Sequence, residues 1–195
     1  MKALARRKKI VVINGSPRAY SRTGHLLDKI TAEIALRIDA EVDRIDLSQS
    51  GHSLLAGLSR EGLSAEAEDT LRLIETADLL VAGTPVYRAS YSGAFKHVFD
   101  LVDRDALAGK VVLLAATGGT PLHGLIGEHQ LRPLFGFFRA ITVPTVVFAT
   151  EDDIKQAEPS DALAQRITRA AQEAALLLSA TVNAEAPSLA LAANA

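Results

Sequence analysis

The 195-residue chain contains no cysteine. That excludes disulfides, thiolate metal sites, iron–sulfur clusters and cysteine nucleophiles together, and it suits a reducing compartment. A basic excess is missing too: 21 Lys and Arg stand against 23 Asp and Glu, a formal net charge of −2. Dedicated nucleic-acid binders carry a basic imbalance, so no nucleic-acid partner is expected. No apolar run approaches the length of a membrane-spanning helix, and the run Ile10–Ile13 behind the basic N-terminus is too brief for a signal-peptide core. The expected location is cytoplasmic, with no membrane partner. Apolar residues at 48% and charged residues at 23% are ordinary globular values. They argue for a single domain over residues 1–180, with an Ala-rich flexible tail at 181–195.

What is present is a set of unbroken apolar runs: Ile10–Ile13, Leu79–Ala82, Val111–Ala116 and Val143–Ala149. They do not alternate with polar residues, so they read as strands buried on both faces of a parallel sheet. Glu41–Leu47 is a more polar strand, placed at one edge; Pro144 lacks a donor and places the last run at the other edge. Between them lie helical spacings: Leu26, Ile30, Ile34 and Ile38; Ala67, Leu71 and Ile74; Phe95, Val98, Phe99 and Val102; a helix from about Gly124 to Arg139; and Leu163, Ile167, Ala170, Ala174 and Leu177. Gly51–Gly62 reads as a loop, and Arg6–Lys9 as a solvated basic end. Strand and helix alternate, which is the signature of an α/β domain.

Several motifs are absent: G-x-G-x-x-G, the P-loop G-x-x-x-x-G-K-[ST], G-x-S-x-G and H-E-x-x-H. No nucleophile–base set and no metal-binding set emerges from the five histidines. In open α/β sheets ligands bind beyond the carboxyl ends of the strands. Three segments there are rich in Gly, Ser, Thr and Tyr. Asn14–Thr23 leads from a strand into a helix N-terminus with Ser16, Ser21 and Thr23 as hydroxyl donors and Arg18 and Arg22 as cations. It suits a terminal phosphate, or else it is a capped loop with solvated arginines. Gly83–Gly93 holds Pro85, Val86, Tyr87, Ser90 and Tyr91. It suits the border of a flat heteroaromatic ring, or else its tyrosines lie on a surface or an interface. Thr117-Gly118-Gly119-Thr120 lets the backbone approach a ligand, or is simply a tight turn. Ligand-cradling loops without an acid–base set are what a cofactor enzyme needs. Pro133, four residues after His129, calls for a π-bulge or a kink in its helix.

Together these motifs resemble the NAD(P)H-dependent FMN reductases of flavodoxin-like fold. Asn14-Gly15-Ser16-Pro17-Arg18 with Ser21-Arg22-Thr23 resembles the family's phosphate loop. Thr84-Pro85-Val86-Tyr87 with Tyr91-Ser92-Gly93 and Lys96 resembles its flavin loop, and Thr117-Gly118-Gly119-Thr120 its third loop. The similarity is greatest to the reductases of two-component alkanesulfonate or methanesulfonate monooxygenase systems. The resemblance implies a three-layer sandwich with a five-stranded parallel sheet in the order 2-1-3-4-5. It implies FMN, with its phosphate on Ser16, Arg18, Ser21 and Thr23 and its ring bordered by Pro85, Val86, Tyr87 and Ser90. Thr117, Gly118, Gly119 and Thr120 would contact the ring or the ribityl edge. It further implies NADPH or NADH as hydride donor, no catalytic side chain, a flavin-dependent monooxygenase as partner, and a homodimer or homotetramer. In that subgroup an inserted residue, often tyrosine, makes a π-helix at a subunit contact. His129 matches it here, as a modulator of flavin release and oligomeric state. A quinone or azo-dye reductase that retains its flavin, and a flavodoxin-type electron carrier, are the alternative readings.

Overall fold

The computed structural model describes residues 7–155 and 158–183. Strands β1 (Lys8–Asn14), β2 (Ala40–Asp46), β3 (Leu79–Tyr87) and β5 (Val111–Thr117) lie parallel in the order β2-β1-β3-β5. The fifth position is shared by β6 (Ile141–Thr142) and β7 (Val147–Ala149), both parallel to β5. A short β4 (Ser90–Tyr91) folds back antiparallel on β3. With that hairpin set aside, the order is the expected 2-1-3-4-5. The two-residue strands β8 (Ile154–Lys155) and β9 (Glu158–Pro159) pair separately.

The buried strands sort their side chains by parity, as the period-2 pleat requires. Val11 and Ile13, Leu80 and Ala82, and Val112, Leu114 and Ala116 enter one core with α2 (Leu47–Leu54), α3 (Ala65–Thr76), α4 (Gly93–Leu101) and α5 (Arg132–Phe137). Ile10 and Val12, Leu79 and Val81, and Val111, Leu113 and Ala115 enter the other with α1 (Arg22–Ala35) and α6 (Asp161–Asn183). This makes three layers. Gly83 brings α1 close to the sheet: a Cβ there would come within 2.8–3.0 Å of three atoms of the fully buried Leu27.

Several expectations are corrected. The edge strand is not continuous over Val143–Ala149. It breaks around Pro144, and side chains from elsewhere bind the freed backbone groups. Arg132 donates to Val143 O (3.3 Å) and Pro144 O (3.0 Å), the Thr145 N–H donates to Glu173 (2.7 Å), and Arg166 donates to Val146 O (2.6 Å). The Gly51–Gly62 loop begins inside α2, whose buried Leu47, Gly51 and Leu54 follow i, i+4, i+7. The basic end is not simply solvated: Lys8 and Lys9 open β1 and face Asp78 (3.7 Å) and Asp43 (3.4 Å). The helix expected over 124–139 is composite. A 3-10 turn, Pro121–His123, precedes a π turn over Gly127–Leu131, which runs into α5. The Arg132 N–H reaches Gly127 O, the i to i−5 bond of a π turn, one residue ahead of Pro133. Helix α6 continues to Asn183, past the expected start of the tail; the rest of that expectation falls on 184–195, outside the described residues. Among the described residues no helix is long and apolar enough to cross a membrane.

Gly83→Ala should cost about 1–3 kcal/mol, the usual penalty for overpacking a tight core. Urea unfolding of the variant checks this, and an unchanged midpoint would contradict the close helix–sheet approach.

Candidate active site

The carboxyl ends of β1, β3 and β5 meet on one rim. After β1 the chain turns sharply at Gly15, whose N–H donates to Gly83 O (2.7 Å) while its carbonyl accepts from Ser92 Oγ (2.6 Å). A Cβ on Gly15 would stand 2.6 Å from Phe95 Cδ2, so a side chain there is excluded. Asn14 then braces the loop. Its Nδ2 donates to Asp46 Oδ1 (2.7 Å) and its Oδ1 accepts from the Ser16 N–H (3.1 Å). Asp46 is held from its other side by Arg44 (2.8 Å). Burial raises the pKa of Asp46, but the hydrogen bonds from Arg44 and Asn14 outweigh it, and the carboxyl rests below its usual range.

Ser21 caps α1, accepting from the Gly24 N–H at 3.0 Å, so its own hydroxyl hydrogen is left to donate. The first-turn N–H groups of Arg22 and Thr23 have no intrahelical acceptor and face the rim with the positive end of the helix. Thr23 Oγ1 and Thr117 Oγ1, both buried, lie 2.7 Å apart and join the first loop to the third. One hydroxyl hydrogen serves that bond; the other remains for a ligand. Arg22 pairs with Glu151 (3.0 Å), whereas Arg18 is exposed and makes no ion pair among the described residues.

The middle wall is set by buried Thr84, which accepts from the Ser92 N–H (3.0 Å) and donates to Pro85 O (3.1 Å). In the third loop the Gly118 N–H donates to Ala149 O (3.0 Å), and a Cβ there would stand 2.9 Å from Phe148 Cζ. Gly119 faces open space, so its backbone is accessible. The three loops enclose a cleft of about 260 Å³.

Of the predicted residues, Ser16, Arg18, Ser21, Thr23, Pro85, Val86, Tyr87, Thr117, Gly118 and Gly119 line this cleft. Ser90 and Thr120 stand outside the lining. Ser90 Oγ is turned to Gln130, and Thr120 caps the 3-10 turn. His129 lies in the π turn, exposed to solvent. Sequence reasoning missed Ala19 and Tyr20, which also line the cleft. Tyr20 is 98% exposed with φ +53°, a left-handed backbone that its residue type gives no reason to expect. The brace from Asp46 was equally hidden, because it joins positions far apart in the chain.

A parallel sheet of this order, with a hydroxyl-lined helix N-terminus beside an apolar wall at its switch point, defines a flavodoxin-like α/β protein with a ligand site at the rim. The chain belongs to the NADPH-dependent FMN reductase family, whose family model matches residues 8–155. It is 46% identical over 175 residues to the NADH-dependent FMN reductase SfnF of Pseudomonas fluorescens, covering 89% of this chain and 94% of the relative. An FMN reductase (NADPH) of Pseudomonas aeruginosa is 46% identical over 172 residues, covering 87% and 91%. Among solved structures, an oxidoreductase from Corynebacterium diphtheriae superposes with a TM-score of 0.82 at 33% identity, covering 90% of this chain and 99% of that one.

Thr23→Val and Thr117→Val should each cost about 1–3 kcal/mol, because each leaves the other buried hydroxyl unpaired. The double variant should cost less than the sum; additive losses in denaturant unfolding would exclude the pairing. The lowered pKa of Asp46 adds stability that is full above about pH 4 and is lost as pH falls through the folded value. Asp46→Asn should therefore lower the urea midpoint at neutral pH, with the gap to wild type closing in acid. A constant gap down to about pH 2 would show that this carboxylate does not brace the loop.

Proposed function

We propose that the rim cleft holds FMN with its phosphate on the Ser16–Thr23 loop and the α1 N-terminus, and its ring against Pro85, Val86 and Tyr87 with Thr117–Gly119 opposite. The carrying observation is the convergence of three sequence-distant loops on one cleft, with its hydroxyls and cations at one end and an apolar wall beside them. The residues fit the group. A phosphate needs donors and positive charge, supplied by Ser21, the Thr23–Thr117 pair, the helix N–H groups and Arg18. A flat ring needs an apolar wall and a backbone that can be approached closely, supplied by Pro85–Tyr87 and Gly119.

When bound, the flavin supplies the redox chemistry, accepting hydride from NAD(P)H. The titratable side chains lining the cleft are Arg18, Arg22, Tyr20 and Tyr87, none of them a carboxylate or a histidine. The chain's own work is therefore binding and orientation. We further propose that the reduced flavin is passed to a flavin-dependent alkanesulfonate or methanesulfonate monooxygenase, and that the reductase acts as a homodimer or homotetramer. Support for the partner comes from the resemblance of the three loops. For self-association the support is exposed Leu122, Leu125 and Phe137 along the segment that carries the π turn.

Arg18→Ala should weaken FMN binding by about 1.5–3 kcal/mol, the worth of a charge-assisted hydrogen bond. Equilibrium titration with FMN measures it, and equal dissociation constants for variant and parent would remove Arg18 from the site. Sulfonate turnover by the partner monooxygenase, driven by NADH, FMN and this protein, tests the transfer. A flavin that stays bound through purification and turnover would instead favour a flavin-retaining reductase.

A further inference from the structure

The middle wall of the cleft ends in a hairpin. Strand β3 enters β4 through Arg88 and Ala89, whose φ angles are +52° and +64°. Two successive left-handed residues make a type I′ turn, a geometry that favours Asn and Gly and strains side chains such as these. A turn built from Arg and Ala needs an outside hold to persist. Gln130 supplies one. Its Nε2 donates to Ala89 O at 2.9 Å, and its Oε1 accepts from Ser90 Oγ at 2.5 Å. A single amide thus uses both its donor and its acceptor on the two residues that close the turn.

Gln130 belongs to the π turn of Gly127–Leu131. Adding one residue to a helical turn rotates the residues beyond it by about 100°, so the π turn decides which side chain faces the hairpin. Across the ladder Ser90 pairs with Tyr87, and Tyr91 with Val86. Tyr87 and Val86 both line the cleft. The neighbouring His129 is exposed, so the contact from the π turn to the hairpin is made by Gln130.

We propose that Gln130 is a positioning residue for FMN reduction. By clamping Ala89 and Ser90 it holds the Arg88–Ala89 turn in its left-handed form, and with it the Val86–Tyr87 wall on which the flavin ring lies. This rests on the placement of the flavin proposed above. Gln130 itself touches neither flavin nor the reacting atoms.

The test compares wild type, Gln130→Ala, Gln130→Ala with Ala89→Gly, and Ser90→Ala. NADH oxidation is followed with FMN varied, alongside FMN titration and thermal melting. Gln130→Ala should raise the KM and Kd for FMN about fivefold, the equivalent of one net hydrogen bond. Its kcat at saturating FMN should stay within about twofold, because the chemistry is untouched. Adding Ala89→Gly should restore most of the affinity, since glycine adopts positive φ freely. A general loosening of the π turn would not respond to a glycine on the hairpin. Unchanged FMN affinity in Gln130→Ala overturns the proposal, and so does a loss that Ala89→Gly leaves in place. If Gln130→Ala does not fold, Ser90→Ala decides, because it removes one clamp bond from the hairpin side: a raised FMN KM supports the clamp and an unchanged one overturns it. Failure of the flavin placement itself would look different, since every variant would then bind FMN as wild type does while Arg18→Ala also left binding unchanged.

Discussion

Gly15 is gripped from two sides, by Gly83 O on its N–H and by Ser92 Oγ on its carbonyl. Gly83 lies in the middle of β3 and Ser92 just after β4, so this one residue ties the first loop of the rim to the strand and hairpin of the second. The grip needs a residue without a side chain, because Phe95 occupies the space a Cβ would take. Phe95 in turn begins the buried aromatic run through Phe99 to Phe135 and Phe138. The rim geometry is therefore fixed by the same core that holds α4 and α5 on the sheet. A polar junction of this kind is stable only when every buried donor and acceptor is paired. Here Ser92 does three tasks: it accepts from Phe95 N at the helix cap, donates to Gly15, and gives its own N–H to Thr84.

What could be read from the sequence follows from how local each cause is. Strands β1, β3 and β5 were legible because burial on both faces leaves an unbroken apolar run. An irregularity at the π turn, as a bulge or a kink, was legible because Pro133 acts on its own helix, four residues back. The break in the edge strand was not, because Arg132, Arg166 and Glu173, which complete its hydrogen bonds, come from other elements. Helix α2 was missed because Ser, Gln and His fill its open face, and its buried stripe is only Leu47, Gly51 and Leu54. At the rim, residue type and strand-end position singled out the three loops, and ten of the twelve contacts that the resemblance implies within them fall in the cleft lining. Ser90 and Thr120 have the right chemistry, but their hydroxyls point to tasks within the protein. Gln130 carried no signal at all, since a glutamine on a helical turn is unremarked until its partners are seen.

The charges near the helix N-terminus divide into committed and available ones. Arg44 is held by Asp28 and Asp46, and Arg22 by Glu151. Arg18 has no such carboxylate among the described residues. An exposed ion pair contributes little to stability, so Arg22 loses little if an anion draws it away from Glu151. Arg18 needs no exchange of partners, and its full charge faces whatever enters the cleft. The loop is rigid where Asn14 and Asp46 brace its base and free at the tip that meets the ligand. Such a division suits the proposed role, in which a flavin is bound in one orientation and then passed on. In the proposed pose the fixed donors orient the ligand, and the exposed cation adds affinity without enclosing it. An enclosed phosphate would leave slowly, because affinity differences within one site are expressed mostly in the rate of departure. A rim that keeps its cation in water therefore agrees with the release of reduced flavin proposed above.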